Sequence, residues 1–264
     1  QGPGEVQSIY FIYINQKDEI VLSDGGNRKI LFLDKEGTLL GEIKYRSQWF
    51  NAIALANGNY LSIIRKIEGE TRRLSLTLCN SDNQILKELD FFKLPYLTSK
   101  GKNPYTIFTF YWRLKNGKIY IGNEQRGYEI WIFDFSGNIL RKIKKEYKAV
   151  EYPDEYRKQT EEIAKNNPDV GPWDYCPPFN SFFIDDENRL FVMTYEQGEN
   201  KEEYIHDIFN EKGIFIGRKS IGLTYAVTRS LLPRRAIFKN DRFYRLRYKD
   251  SGYVELIVYR TIWR

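Results

Sequence analysis

Histidine and methionine are almost absent from this chain: His206 and Met193 are the only ones in 264 residues. A single histidine excludes any zinc site built on several imidazoles. His206 also lies inside the alternating stretch 204–209, an expected third strand, which makes it a structural or surface residue rather than the base of a Ser-His-Asp triad. Cysteine is nearly as scarce. Cys79 and Cys176 are far apart and match no metal or redox spacing, so two free thiols are expected, although sequence alone leaves their pairing open. No apolar run approaches the roughly 18 to 20 residues of a membrane-spanning helix. No phosphate-binding glycine loop or dinucleotide fingerprint is present, and Gly25-Gly26 reads as a strand–turn pair. Nine prolines and 19 glycines are ordinary counts and exclude collagen-like and disordered classes. No signal peptide is visible, but the chain opens on Gln1 rather than Met, so that absence decides nothing.

Charge of one sign is also missing. Lysine and arginine total 41 against 35 acidic residues, a net charge of +6, with both signs interspersed. The densest basic clusters are Arg141 to Lys145 and Arg234-Arg235, too short for a phosphate-tracking stripe, so no nucleic-acid partner is expected. The first sits on an apparent edge strand, where lysines discourage edge-to-edge pairing.

What the chain does have is aromatic residues: 16% of the total, with 20 Tyr and 17 Phe. That load favours strands over helices. Two classes of turn alternate between short β-rich segments. The first comprises residues 15–18, 57–59, 116–118, 185–188 and 240–242; the second comprises 34–37, 80–83, 134–137 and 210–213. Their Asn, Asp and Gly residues suit tight hairpins because they tolerate positive φ. Each repeat is thus a four-stranded antiparallel meander of about 40 residues, the signature of a propeller blade. Five repeats are visible, at approximately 7–44, 50–89, 107–144, 180–219 and 235–263. The expectation is an all-β, single-domain β-propeller over 1–264, with one short helical insertion near 154–166 capped by Asp154 and stopped by Asn167-Pro168. The fifth repeat lacks its fourth strand, from which a missing N-terminal portion is expected.

The residues Asp24, Asn27-Arg28, Ile30, Phe32, Asp34 and Gly37 resemble the NHL-type repeat. The opening Gln1-Gly2-Pro3-Gly4-Glu5 resembles the linker between blades of bacterial six-bladed propellers of that group, and Tyr253 to Trp263 resembles their closing strand. The resemblance implies a six-bladed propeller lacking about one blade, and an exported, cell-envelope location. For function it implies a range: protein-, sugar- or RNA-binding modules, calcium-dependent lactonases and amidating lyases.

Loop lengths point to a face. In a meander blade, the second-to-third and blade-to-blade connections lie opposite the tight first-to-second and third-to-fourth turns. The insertions 65–73, 90–106, 145–179, 196–203 and 220–234 all fall on that one side, where binding residues concentrate. Candidate ligand-binding residues there are Trp173 and Tyr175 as stacking surfaces, Arg126, Tyr128 and Tyr195 in second-to-third loops, and Arg229, Arg234 and Arg235 as anion-binding groups. Trp49, Phe50 and Trp112 are expected in the core. No catalytic residue, metal site or cofactor is assigned. The leading expectation is a non-enzymatic binding propeller taking a protein, peptide or glycan. The alternative is a calcium-dependent hydrolase or lyase with an axial metal, to which Asp24 and Asn27 offer oxygens.

Overall fold

A computed structural model describes residues 5–15, 17–46, 52–69, 71–95, 103–104, 110–152, 154, 157–158, 161–162, 170–171, 175–200, 203–222, 236–240, 242–248 and 253–260. It is nearly all strand. The first sheet holds β1 (Ile9–Ile14), β2 (Ile20–Asp24), β3 (Lys29–Leu33) and β4 (Leu39–Lys44). The second holds β5 (Ala52–Ala54), β6 (Tyr60–Glu68), β7 (Thr71–Cys79) and β8 (Ile85–Pro95). The two-residue β9 (Asn103–Pro104) and β14 (Val170–Gly171) lie in the connections ahead of the third and fourth sheets. The third sheet holds β10 (Phe110–Lys115), β11 (Lys118–Asn123), β12 (Glu129–Asp134) and β13 (Ile139–Lys144); the fourth, β15 (Ser181–Ile184), β16 (Leu190–Gln197), β17 (Tyr204–Phe209) and β18 (Phe215–Ile221). The fifth has three strands, β19 (Ala236–Lys239), β20 (Arg242–Tyr248) and β21 (Val254–Arg260). In each sheet, strands follow one another in chain order, the up-and-down meander of a propeller blade. Of the expected helical insertion, residues 154, 157–158 and 161–162 are described, and all are helical.

One local device builds the turns. Asn15, Asp34, Asn80, Asp134, Asp185 and Asn210 each accept, through one side-chain oxygen, the backbone N–H groups two and four residues on. Three residues on from each stands a residue with positive φ: Asp18, Gly37, Asn83, Gly137, Asn188 and Gly213. These are the residue types that tolerate the left-handed region at least cost. Asp185 is therefore spent on hairpin chemistry, as its place in a tight turn suggests.

The second sheet departs from the expected loop pattern. Residues 65–73 are not an enlarged loop; they prolong β6 and β7 in continuous register, with Arg65 opposite Leu74 and Glu68 opposite Thr71. Gly69, at φ +60°, belongs to the tight turn. Ile67 and Thr71 are good strand formers, so the ladder simply continues outward as an arm.

The chain forms two compact units, Gln1–Asn103 with Phe133–Leu140, and Pro104–Ile132 with Arg141–Arg264. The core of the first includes Val21, Ile30, Tyr45, Ala52, Ala54, Tyr60 and Cys79. The core of the second gathers Tyr128, Ile130 and Ile143 from the third sheet against Phe179, Phe182, Val192 and Phe209. Each fully buried valine, isoleucine or phenylalanine side chain among them contributes roughly 1.5–3 kcal/mol. Gly122 on β11 is required by this packing, since a Cβ there would lie 2.7 Å from the Phe179 ring. Both cysteines are buried, and they form no disulfide with each other. Trp112, expected in the core, is only half-buried; Trp49 and Phe50 lie outside the described residues.

Candidate functional site

Within the second unit, the third and fourth sheets enclose a cleft of about 260 Å³ on the side of the second-to-third connections. Its walls include Tyr128, Lys145, Tyr147, Pro177, Pro178, Thr194, Tyr195, Glu196, Asp207 and Arg218. Tyr128 is delivered by a single 3₁₀ turn, Glu124–Arg126, which Gly127 ends at φ +82°. Its carbonyl accepts the Lys145 N–H at 3.2 Å, pinning the start of β12 to the end of β13. The ring packs edge-on against Phe179 at 5.9 Å and leans on Tyr147 at 6.3 Å.

Asp207 lies at the heart of the cleft. Side chains alternate along β17, so Asp207 and Phe209 share the face toward the third sheet while His206 and Ile208 share the other. The Asp207 side chain is 1% exposed. Three donors converge on its carboxylate: the Tyr128 hydroxyl at 2.8 Å, Lys145 Nζ at 2.9 Å and Arg218 Nε at 2.8 Å. Arg218 also pairs with Glu196 through its other nitrogen. Two cations therefore hold two carboxylates in a chain, and the buried charge is compensated on the spot, as it must be away from water. Lys145 reaches past the Tyr128 and Phe215 rings, 5.6 and 5.0 Å from their centroids.

The electrostatics make these groups donors and counter-ions rather than proton shuttles. Burial, reinforced by the Asp207 charge, pushes the Tyr128 phenol far up, so it stays protonated. The hydrogen bond that Arg218 donates to Glu196 raises its pKa above the ordinary value. His206 faces away, near the Phe183 ring at 6.0 Å. Burial pulls its pKa down to about 4, and its Nδ1 sits 2.9 Å from the Tyr204 carbonyl, the geometry of a neutral imidazole donating to the backbone.

The expected site residues scatter. Tyr128 and Tyr195 come together in the cleft, with Tyr128 buried rather than solvated because Phe179 and Phe209 claim its ring. Arg126 does not join them; its guanidinium lies 4.0 Å over the Trp131 ring, which Lys142 also covers at 3.9 Å. Tyr175 is 53% exposed and bridges through its backbone to Glu151, leaving its neighbours Pro177 and Pro178 to line the cleft. Trp173, Arg229, Arg234 and Arg235 lie outside the described residues.

Sequence reasoning missed Lys145, Asp207 and Arg218. Lys145 reads as an edge-strand lysine and Arg218 as a surface charge. The available signal was Asp207 itself, an acid between Ile205 and Phe209 on one register of a β-rich stretch.

Asp24 takes the other course for a buried acid. Its two oxygens accept the N–H groups of Gln7, Ser8, Gly26 and Asn27 and the Asn27 side-chain amide. Burial opposes ionisation, but the bonds from Ser8, Gln7 and Asn27 outweigh it and hold the carboxyl below its usual range. Those oxygens fasten a corner of the first sheet and are engaged before any metal arrives. Among the described residues, no group of three or more His, Cys, Asp or Glu is placed to hold a metal ion.

No protein-family model matches the chain, and no curated protein matches its sequence. Solved structures do resemble it. A DUF4221-family member from Bacteroides vulgatus superposes with a TM-score of 0.51 at 11% identity, over 99% of this chain and 81% of that one. A gluconolactonase from Xanthomonas campestris gives 0.41 at 12%, over 89% and 68%, and a virginiamycin B lyase from Staphylococcus aureus 0.36 at 13%, over 94% and 69%. At such identities the likeness is one of fold. The chain is a β-propeller.

Proposed function

We propose that the protein is a non-enzymatic binding propeller whose Tyr128–Asp207 cleft receives a peptide or glycan segment of a partner. The carrying observation is the state of Asp207: its carboxylate is engaged by Tyr128, Lys145 and Arg218 rather than held free to act as a base or nucleophile. The rim offers half-buried Tyr195 and exposed Tyr147 beside two prolines. Rigid aromatic faces with low ordering cost suit recognition of sugar rings or extended peptides. Asp24 and Asn27, which fasten the β2–β3 corner, support reading the blades as NHL-type.

The test is to screen the immobilised chain against a random-peptide display library and a printed glycan array, beside Tyr147→Ala and Tyr195→Ala variants. Ligands retained by the native chain and lost by both variants are expected. Absence of any selective ligand, or ligands indifferent to both substitutions, overturns the reading.

A further inference from the structure

A second cleft lies inside the first unit, between the first and second sheets, about 240 Å³ in volume. Its lining residues are Arg46, Tyr60, Ser62, Ile64, Arg65, Cys79, Asn83 and Ile85, two guanidinium groups and no carboxylate. Ser62 is 2% exposed, and its hydroxyl has no hydrogen-bond partner among the described residues. The Arg65 Nε is likewise buried and unpartnered there. A buried hydroxyl and a buried guanidinium N–H left unsatisfied cost free energy that a ligand acceptor would recover.

The remaining polar groups are committed. Tyr60 donates to Asn83 Oδ1 at 2.8 Å, Asn83 also accepts the Arg46 N–H, and its amide donates to the Lys44 carbonyl. The Thr77 hydroxyl donates to the Ser62 carbonyl at 3.0 Å. The cleft therefore presents the Ser62 hydroxyl and two arginines with no carboxylate among its lining residues, beside an apolar wall of Ile64, Ile85 and the Tyr60 ring.

We infer that this cleft binds a phosphate monoester, with Arg46 and Arg65 taking the phosphoryl oxygens, Ser62 donating a third hydrogen bond, and the Ile64–Ile85 wall receiving the ester's apolar body. Two unit charges match the −1.5 to −2 or so of a phosphate monoester at neutral pH. Guanidinium forks fit tetrahedral oxyanions in a way that ammonium groups do not. The volume exceeds what inorganic phosphate alone fills, which leaves room for the group it is attached to.

Isothermal calorimetry with phenyl phosphate, phenyl sulfate and benzoate, on the full chain, tests this. Phenyl phosphate should bind most tightly and lose affinity as salt rises. Arg65→Gln and Arg46→Gln should each weaken it about tenfold or more, and Ser62→Ala by several-fold, as expected for charge-assisted and neutral hydrogen bonds respectively. Arg65→Lys should fall between native and Arg65→Gln. Circular dichroism confirms that each variant folds; Ser62→Ala removes a single unpaired atom and serves should an arginine variant fail to fold. No binding by the folded native chain, equal affinity for benzoate, or affinity unchanged in Ser62→Ala and both arginine variants overturns the assignment.

Discussion

The two clefts occupy matching places in their blades and differ in how they treat charge. Tyr45 N–H donates to the Arg28 carbonyl as Lys145 N–H does to that of Tyr128, so Arg46 and Glu146 follow equivalent corners. Thr77 and Asp207 each stand three residues before the Asx residue of a third-to-fourth turn, Asn80 and Asn210. Ser62 pairs with Thr77 across the strands as Val192 pairs with Asp207. Of the exchanges at these matched positions, threonine for aspartate decides the charge: Asp207 takes up Lys145 and Arg218, whereas no carboxylate lines the cleft beside Thr77. A repeated scaffold thus yields a salt-bridged floor in one cleft and a carboxylate-free one in the other.

The sharpest way to break that contrast is at the two equivalent positions. Asp207→Ala should cost about 2–4 kcal/mol, because it removes the acceptor of three hydrogen bonds, two of them from charged groups, and leaves the buried Tyr128 hydroxyl without that partner. Thr77→Ala should cost about 1 kcal/mol, the value of one neutral hydrogen bond. Urea denaturation of both variants measures the difference, and equal losses would show that Asp207 is not the keystone of its cleft.

A pH titration isolates the fourth sheet, because it carries the only histidine. His206 is neutral when folded, with a pKa near 4, and regains an ordinary value of 6.5 when unfolded. The unfolded chain therefore binds the extra proton between those values, and stability falls as pH drops through that window, by up to about 1.4 kcal/mol per unit. His206→Leu should flatten this slope relative to the native chain; an unchanged slope would mean that His206 is not buried neutral.

Smaller again is the turn below each cleft. Gly213 adopts φ +74° where Asn83 adopts +66°. Gly213→Ala should cost roughly 1–2 kcal/mol in thermal melts, since a Cβ pays for the left-handed conformation and would also meet Arg141 Cδ at 2.8 Å. Gly213→Asn should recover part of that loss, and no difference between the two would place the penalty in the contact rather than the backbone.

The blade repeat was plainly written in the chain. Asn15, Asp34, Asn80, Asp134, Asp185 and Asn210 marked their turns in advance because an Asx side chain and a left-handed residue three places on act over five residues, within reach of any local reading. The arm of β6 and β7 was missed because Arg65, Lys66, Arg72 and Arg73 look like loop residues, although the ladder needs only their backbones. The clefts were harder. Tyr128 and Tyr195 stood out by type, yet the residues that decide the chemistry, Lys145, Asp207 and Arg218 in one cleft and Ser62 and Arg65 in the other, read as ordinary strand and surface residues.

The sequence by itself determined the strands, the turns and the side of each blade on which the long connections lie, since all of these follow from short-range periodicity and turn chemistry. Only the tertiary structure decided which charges meet. Tyr128 and Asp207 are 79 residues apart, and Lys145 and Asp207 are 62 apart. Whether a buried acid is held by backbone N–H groups, as Asp24 is, or by cations from its own and a neighbouring sheet, as Asp207 is, depends on packing between strands and blades, which no local pattern encodes.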